Sequence, residues 1–159
     1  HLDTMTLMAS IPKNMIHNVY PVAAMDYFGR NKFQRFVSNY FLNTLLIPRR
    51  ITKESNPVTT MEKALSKGAS LIIFPEGSRG KPEEMQKLKK GIGVVLRSNP
   101  EIKYIPVYMS GMGRNMPKGD SLIVPHTAKV KFGKFTKIES EDPIEITKKI
   151  EKDILNIKG

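Results

Sequence analysis

The chain has no cysteine, and this removes several kinds of chemistry at once. Without cysteine there can be no structural disulfide, no thiolate nucleophile and no zinc site built on sulfur. The absence is compatible with a reducing compartment. Redox chemistry is therefore not expected.

A long apolar run is also missing. No stretch approaches the roughly 18 to 20 apolar residues that a transmembrane helix needs. The N-terminus also lacks the basic start, apolar stretch and small-residue cleavage site of a signal peptide. Because the chain begins at His1 and enters a helical pattern at once, we expect it to be a fragment, with any membrane span outside it.

Acidic residues are few compared with basic ones. There are 15 Asp and Glu against 26 Lys and Arg, giving a net charge of +11 and a pI near 9.9. Such a balance predicts attraction to nucleic acid, an anionic membrane surface or a phosphorylated substrate, and charge does not choose among them. A length of 159 residues suits one domain, so residues 1–159 are predicted to form a single domain.

Helical and strand patterns alternate along the chain. Helices are predicted from an Asp3 cap to just before Pro12, over 31–46, from Asn56 to Gly68, over 83–98 and from an Asp142 capping box onward. Strands are predicted over 19–25, 70–74, 102–109 and 128–135. This alternation predicts an α/β fold in which helices flank a central, mostly parallel or mixed sheet.

Four local features refine this prediction. Pro21 suits an edge strand, and the apolar run 70–74 suits a strand buried on both faces. Gly91 and Gly93 weaken the helix that contains them, so close packing or a substrate should require them. The aromatic stripe of helix 31–46 fits either a core-facing helix or, with its flanking arginines, contact with a membrane.

The heptapeptide 74–80, FPEGSRG, directly follows the apolar strand. Ligands of α/β sheets usually bind beyond the carboxyl ends of strands. Gly77 permits a tight turn, from which Glu76 and Arg79 project. Arg suits bidentate contact with phosphate, and a carboxylate accepts hydrogen bonds from substrate hydroxyls. The turn is equally compatible with a surface loop in which Glu76 and Arg79 pair with each other.

The same heptapeptide resembles the third motif of the glycerolipid acyltransferases, usually FPEGTRS. Its neighbours agree in order with the same family: 43–49 (NTLLIPR) resembles the second motif, 88–91 (LKKG) the segment after the third, 105–107 (IPV) the fourth, and 130–135 (VKFGKF) the last strand and its turn. Asn43 and Leu46 stand where the second motif usually has Gly and Phe. The resemblance reaches about residue 138 and is closest to the lysophosphatidic acid acyltransferases.

The first motif departs from the family pattern of His, four residues and Asp. His1-Leu2-Asp3-Thr4 matches the tail of the string His-x-Ser-His-Leu-Asp-Thr found in similar members. On this alignment Asp3 is the motif aspartate, His1 is a spacer, and the catalytic His lies three residues before His1. The resemblance therefore implies that the 159-residue fragment is inactive or nearly so.

The resemblance implies transfer of a fatty acyl group from acyl-CoA or acyl carrier protein to the free hydroxyl of a lysophospholipid, most simply 1-acylglycerol 3-phosphate. In this chemistry a histidine takes the hydroxyl proton and Asp3 orients that histidine. The residues implied to bind substrate are Arg49, Glu76, Gly77, Ser78, Arg79, Lys89, Gly91 and Pro106.

The resemblance further implies a role in phospholipid biosynthesis at the cytoplasmic face of a membrane, with peripheral attachment or an anchor outside the fragment. Beyond the acyl thioester no cofactor is expected, and His17 and His126 lack the spacing of metal ligands. The oligomeric state is left open. The alternative is a non-catalytic basic module that binds anionic lipid or nucleic acid, although no RNA-recognition motif or zinc finger is present.

Overall fold

The computed structural model describes residues 2–25, 43–48, 51–52, 55–77, 85–111 and 128–159. These residues fall into two compact units, of which one is Ile11–Phe74 and the other combines His1–Ser10 with Pro75–Gly159. The prediction that residues 1–159 form one acyltransferase domain stays a prediction.

The Ile11–Phe74 unit contains a parallel three-stranded sheet in the order β2-β1-β3. A 3₁₀ turn at Ile16–Asn18 precedes β1 (Val19–Ala24), and the other strands are β2 (Leu45–Ile47) and β3 (Ser70–Ile72). The strands are staggered, since β3 pairs with the first half of β1, Val19 opposite Ser70, and β2 with its second half, Val22 opposite Leu45. Parallel strands alternating with helices confirm the predicted α/β class.

Helix α2 (Pro57–Ser66) packs against β2 and β3 and has the caps that the sequence predicts. The Asn56 side chain accepts a hydrogen bond of 2.9 Å from the Val58 amide, and Pro57 occupies the first helical position, where its missing N–H costs nothing. Gly68 follows the helix at a φ of +84°, in the left-handed region that favours glycine. The predicted helix from Asn56 to Gly68 is confirmed.

Two strand predictions for this unit need correction. Among the described strands β1 is central and not an edge strand. Pro21 is paired with Ile72 of β3, whereas the pairing with β2 begins at Val22. The missing N–H of Pro21 therefore leaves the described β1–β2 ladder intact. The predicted strand 70–74 ends at Ile72, and its residues are half-buried or exposed rather than buried on both faces. An edge position explains this, because β1 is its one described neighbour.

Residues 31–42 of the predicted helix 31–46 lie outside the described residues. Its end is wrong, because Leu45 and Leu46 belong to strand β2. Asn43 adopts a φ of +48°, which breaks a right-handed helix before the strand begins.

The second unit contains three helices among its described residues: α1 (Leu2–Ala9), α3 (Gly91–Ser98) and α4 (Pro143–Lys158). Antiparallel pairs join β4 (Lys103–Tyr104) to β7 (Thr136–Lys137), and β5 (Val107–Ser110) to β6 (Lys129–Phe132). The predicted strand 102–109 is divided in two at Ile105 and Pro106. The predicted strand 128–135 is confirmed only over Lys129–Phe132, because residues 133–135 form the connection to β7.

The core of this unit is the contact of α3 with α4. Leu96 of α3 packs with Ile146 and Ile150 of α4, and Leu88 joins them from the segment before α3. Each such side chain contributes about 1.5–3 kcal/mol when fully buried. Gly93 lets the two helices approach, because a Cβ there would overlap the Pro143 carbonyl oxygen and lie 2.6 Å from Thr147 Oγ1. Close packing, one of the two alternatives that the sequence left open, therefore explains Gly93.

The start of α4 differs from the predicted capping box in one detail. Asp142 accepts a 3.0 Å bond from the Ile144 amide, as expected. Glu145 does not reach the Asp142 amide directly: it accepts a 2.7 Å bond from the Ser140 hydroxyl, and that hydroxyl accepts from the Asp142 amide at 3.1 Å. Ser140 therefore bridges the two halves of the box.

Two further helix boundaries differ from the predictions. Helix α1 begins at Leu2, so Asp3 lies in its first turn and is not its N-cap. Helix α3 begins at Gly91, and residues 85–90 are an irregular segment. No helix in the described ranges is long and apolar enough to cross a bilayer.

Candidate functional site

The turn at Pro75–Gly77 and the irregular segment 85–90 lie against each other in the second unit. Two hydrogen bonds join them: the Gln86 amide donates to Glu76 Oε2 at 2.8 Å, and the Lys89 amide donates to the Pro75 carbonyl at 2.9 Å. We call these two stretches together the turn site. It brings residues of the third motif together with the LKKG segment that follows it in sequence.

Segment 85–90 is fixed from the other side by the core. Leu88 is 6% exposed in the cluster with Leu96 and Ile146, and Met85 packs against the same cluster. The three lysines on either side of Leu88 in this segment are exposed: Lys87, Lys89 and Lys90. The segment therefore holds Glu76 through a backbone amide while its lysines face solvent.

Gly77 and Lys89 make the closest approach in the turn site. Gly77 has a φ of +66°, and a Cβ at this position would lie 2.8 Å from Lys89 Cδ and 2.9 Å from Lys89 Nζ. The lysine side chain thus crosses the space that any other residue at 77 would fill. The left-handed backbone favours glycine here. The contact with Lys89 is less restrictive, because the far end of this exposed side chain could move aside for a Cβ.

The carboxylate and the ammonium of the turn site have different surroundings. Glu76 is half-buried, and a bond from a backbone amide limits the rotation of its carboxylate. Among the described residues, Glu76 Oε1 has no protein donor. Lys89 Nζ lies beside the bare backbone of Gly77. An acceptor for hydroxyl groups and a donor for anions are therefore neighbours.

Helix α3 begins two residues after Lys89. Its N-cap residue, Lys90, makes no side-chain cap, and no described residue packs within 4 Å of the position that a Cβ at Gly91 would take. The first amides of a helix attract anions. The Gly91 end of α3 thus adds to the positive character of the turn site, in contrast to Gly93, which packing explains.

The remaining predicted site residues are placed as follows. Asp3 is exposed in the first turn of α1. Pro106 is buried, and its ring and carbonyl contact Gly133: the Gly133 amide donates to Pro106 O at 2.8 Å, and a Cβ at Gly133 would lie 2.6 Å from Pro106 Cγ. Arg49, Ser78 and Arg79 lie outside the described residues. The roles of all the predicted site residues stay predictions.

The contact of Gln86 with Glu76 is absent from the sequence predictions. Gln86 acts through its main-chain amide, and a backbone donor has no side-chain signature in a sequence. The contact of Pro106 with Gly133 likewise joins positions far apart in the chain. The sequence contains a partial signal for these contacts, since each of the residues lies in or beside a motif that the resemblance identifies. It does not show which of them contact each other.

A further polar cluster joins β4 to α4. The Tyr104 hydroxyl donates to Asp153 Oδ2 at 2.6 Å, and Lys149 donates to the same carboxylate at 2.7 Å. Burial, with the bond to Asp153, raises the pKa of Tyr104 well above its usual range. Partial burial alone would raise the pKa of Asp153, but the bonds from Lys149 and Tyr104 outweigh it and lower that pKa. This cluster is structural.

Comparisons with known proteins agree with the motifs. A family model described as Acyltransferase matches residues 1–110. A chloroplastic 1-acyl-sn-glycerol-3-phosphate acyltransferase of Arabidopsis thaliana is 37% identical over 62 residues, covering 39% of this chain and 17% of that protein. A second, from Brassica napus, is 34% identical over 62 residues, covering 39% of this chain and 18% of that protein.

The aligned stretch spans less than a fifth of either curated relative. No solved structure shows a significant match. The family model nevertheless covers more than half of the 159 residues, including the whole of the turn site. The chain therefore belongs to the acyltransferase family.

Proposed function

We propose that the chain is part of an enzyme that transfers a fatty acyl group from an acyl thioester to the free hydroxyl of a lysophospholipid. The acceptor in this proposal is 1-acylglycerol 3-phosphate, which bears a phosphate monoester. The observation that carries this proposal is the contact of Lys89 with Gly77 beside the half-buried Glu76. The names of the two plant relatives specify the same acceptor class for those proteins.

The turn site supplies what this acceptor requires. A phosphate monoester carries up to two negative charges; Lys89 Nζ, beside Gly77, offers a cation, and the first amides of α3, which begins two residues after Lys89, offer backbone donors. A glycerol hydroxyl is a donor, and Glu76 is an acceptor whose orientation the Gln86 amide fixes. Charge-assisted bonds of this kind contribute about 1.5–3 kcal/mol each.

The reaction itself needs a base. The acceptor hydroxyl attacks the thioester carbonyl as a histidine removes its proton, the thiolate of the carrier leaves, and the proton is returned to the thiolate. Asp3 is the residue proposed to orient that histidine, which the first-motif spacing predicts to precede His1. The donor is acyl-CoA or acyl carrier protein, and no further cofactor enters the scheme.

The test compares Lys89→Met with Lys148→Met in the protein that includes the residues preceding His1. Both lysines are exposed, but Lys148 lies on α4, away from the turn site in sequence and contact. We expect Lys89→Met to lower kcat/KM for 1-acylglycerol 3-phosphate about 10- to 100-fold, since one charge-assisted bond is lost. The same change should matter far less for a monoacylglycerol that lacks phosphate, and Lys148→Met should have no effect on either.

Equal losses for the two lysine variants would contradict an acceptor role for the turn site. The alternative, a non-catalytic basic module, predicts no acyl transfer at all and a binding affinity that weakens with salt. Glu76→Gln separates the two possibilities further, because it keeps the side-chain shape while removing the charge. An enzyme should lose turnover in this variant, whereas a charge-driven binder should bind anions slightly better.

A further inference from the structure

The turn between β6 and β7 exposes two phenylalanines to solvent. Phe132 is 46% exposed and Phe135 is 67% exposed, and Ile105, in the β4–β5 connection, is 36% exposed. Large apolar side chains placed singly on a surface are common, but a group of them requires an explanation. We call residues 132–135 together with Ile105 the apolar tip.

The contacts of Gly133 draw the members of the apolar tip together. The Gly133 amide donates to Pro106 O, so the residue that follows Phe132 lies against the neighbour of Ile105. Phe132 pairs with Val107 in the β5–β6 ladder. The exposed side chains thus lie around one fixed point rather than on unrelated parts of the surface.

Helix α4 covers the other face of the β5–β6 pair. Tyr108 and Lys131 are opposite each other in the ladder, Lys158 Nζ lies 5.8 Å from the centre of the Tyr108 ring, and Lys131 Nζ donates to the Lys158 carbonyl at 3.2 Å. Side chains alternate across a strand, so Val107 and Phe132 face away from α4. Packing on α4 therefore does not account for the phenylalanines.

Lysines surround the apolar tip. The nine residues KVKFGKFTK, 129–137, contain four lysines and no acidic residue. Lys137 is directly opposite Lys103 in the β4–β7 pair, an arrangement of like charges that disfavours pairing. All five of these lysines are exposed, and Glu101 and Glu139 lie farther along the same two segments, beyond Lys103 and Lys137. Lys129 and Lys131 alternate with Phe132 along β6 and so lie on its α4 face, where Lys131 bonds to the Lys158 carbonyl. Lys103, Lys134 and Lys137 are left to form the rim. The rim of the tip is positive.

We propose that the apolar tip docks the protein on the surface of an anionic lipid bilayer. Phe132, Phe135 and Ile105 enter the boundary between headgroups and acyl chains, while the surrounding lysines pair with lipid phosphates. The aliphatic side chain of Ile105 is stabilised by transfer into hydrocarbon but cannot stack on nucleic-acid bases. Its presence beside the two phenylalanines therefore favours lipid over nucleic acid. The proposal does not rest on the proposed acyl transfer, because vesicle binding is measured without substrate.

The first test measures binding of the chain to sedimented vesicles. The double variant Phe132→Ser/Phe135→Ser is compared with Ile144→Ser/Leu155→Ser, which removes two apolar side chains that are 55% and 48% exposed on α4. On vesicles rich in phosphatidic acid or phosphatidylglycerol, the tip variant should bind at least roughly tenfold more weakly, because its buried apolar area is lost. The α4 variant should bind as the unchanged chain does.

A charge pair completes this test. Lys134→Glu at the tip should weaken binding several-fold more than Lys148→Glu on α4, and the difference should shrink as salt is raised. Phosphatidylcholine vesicles should bind the chain weakly in every form, and free glycerol phosphate should not displace it. Equal losses for tip and α4 variants, or displacement by free glycerol phosphate, would overturn the proposal.

The absence of tryptophan from the chain permits a second test that keeps the apolar character of the tip. Phe135→Trp and, as its control, Ile144→Trp each introduce a single fluorophore. On anionic vesicles the first should shift its emission to shorter wavelength and be quenched by brominated acyl chains, while the second should do neither. A bound protein whose Phe135→Trp fluorophore stays open to iodide would contradict insertion of the tip.

A final arm replaces vesicles with duplex DNA. The proposal expects vesicle binding to depend on the phenylalanines and DNA binding, if any, to be indifferent to them. DNA binding that is lost in Phe132→Ser/Phe135→Ser, with vesicle binding unchanged, would overturn the lipid assignment in favour of nucleic acid.

Discussion

Gly91 and Gly93 are two residues apart in α3, yet the two regions that they serve are different in kind. Gly93 belongs to the α3–α4 contact, where Pro143 and Thr147 occupy the space of a side chain. Gly91 directly follows the turn site, and no described residue packs within 4 Å of that space. One glycine is explained by packing, whereas the other leaves a place that only something outside the described protein atoms can use.

The same contrast applies to the polar groups of the two regions. At the α3–α4 side, Tyr104, Asp153 and Lys149 satisfy one another. At the turn site, Glu76 takes its described bond from a backbone amide and Lys89 lies across a bare glycine. Satisfied polar clusters stabilise a fold, whereas charged groups that have no partner of opposite sign among the described residues are candidates for binding something else.

The largest expected effect belongs to Gly93→Ala. The new Cβ would overlap a backbone oxygen of α4, which cannot rotate away, so the helices must separate. Overpacking of this kind costs about 1–3 kcal/mol, and we expect the upper end, about 3 kcal/mol, in the free energy of unfolding. Urea denaturation measures it. A loss below about 0.5 kcal/mol would show that the α3–α4 contact is looser than its geometry indicates.

Gly77→Ala should have the next largest effect. A left-handed backbone costs a residue with a Cβ about 1–2 kcal/mol, and Lys89 must also move aside. Gly68→Ala is the matched control, since Gly68 has a φ of +84° with nothing within 4 Å. Both variants should lose similar stability in urea, but only Gly77→Ala should impair acyl transfer. Equal activity in the two variants would show that the contact of Lys89 with Gly77 has no part in binding the acceptor.

Several features of the fold and of the turn site could be predicted from the sequence, because they depend on residue types at nearby positions in the chain. The caps at Asn56 and Asp142 and the turn at Gly68 follow from residue types at fixed positions. The clustering of Glu76, Gly77 and Lys89 follows from motif order, although the distances between them do not.

The failures have a common physical cause. Residues 85–90 have a helical pattern because Met85 and Leu88 face the core, but a segment that turns back to bond Pro75 and Glu76 cannot also continue a helix. Strand β3 has an apolar sequence typical of a buried strand, but burial depends on which neighbours pair with it. Long-range partners decide both cases, and a sequence pattern does not contain them.

Tyr104→Phe tests the satisfied cluster and should cost about 1–2 kcal/mol at neutral pH, since it removes a bond to a charged carboxylate. The pKa of Asp153 is lowered in the folded state, so its stabilising effect is present above the unfolded value of about 3.9 and is lost as the pH falls through the folded value.

The pKa of Tyr104 is raised, so its stabilising effect is full below the unfolded value of about 10 and declines as the pH rises above it. Urea unfolding of Tyr104→Phe and the unchanged protein should therefore give the same stability at the acid end and differ most near neutrality. Lys149→Met is the control: as an exposed i,i+4 pair it should cost only about 0.5 kcal/mol. A constant difference at every pH would mean that packing, not the hydrogen bond, links Tyr104 to α4.

Gly91→Ala should have the smallest effect on stability, and it separates the two regions most directly. Its Cβ meets no atom, and alanine is the better helix former by up to about 1 kcal/mol, so stability should be unchanged or slightly higher. Acyl transfer should nevertheless fall, because the added methyl group projects into the place proposed for the acceptor phosphate. Urea denaturation and kcat/KM measured on the same preparation provide the check. If Gly91→Ala kept full activity, the open space beside α3 would have no part in binding the acceptor, and the turn site would end at Lys89.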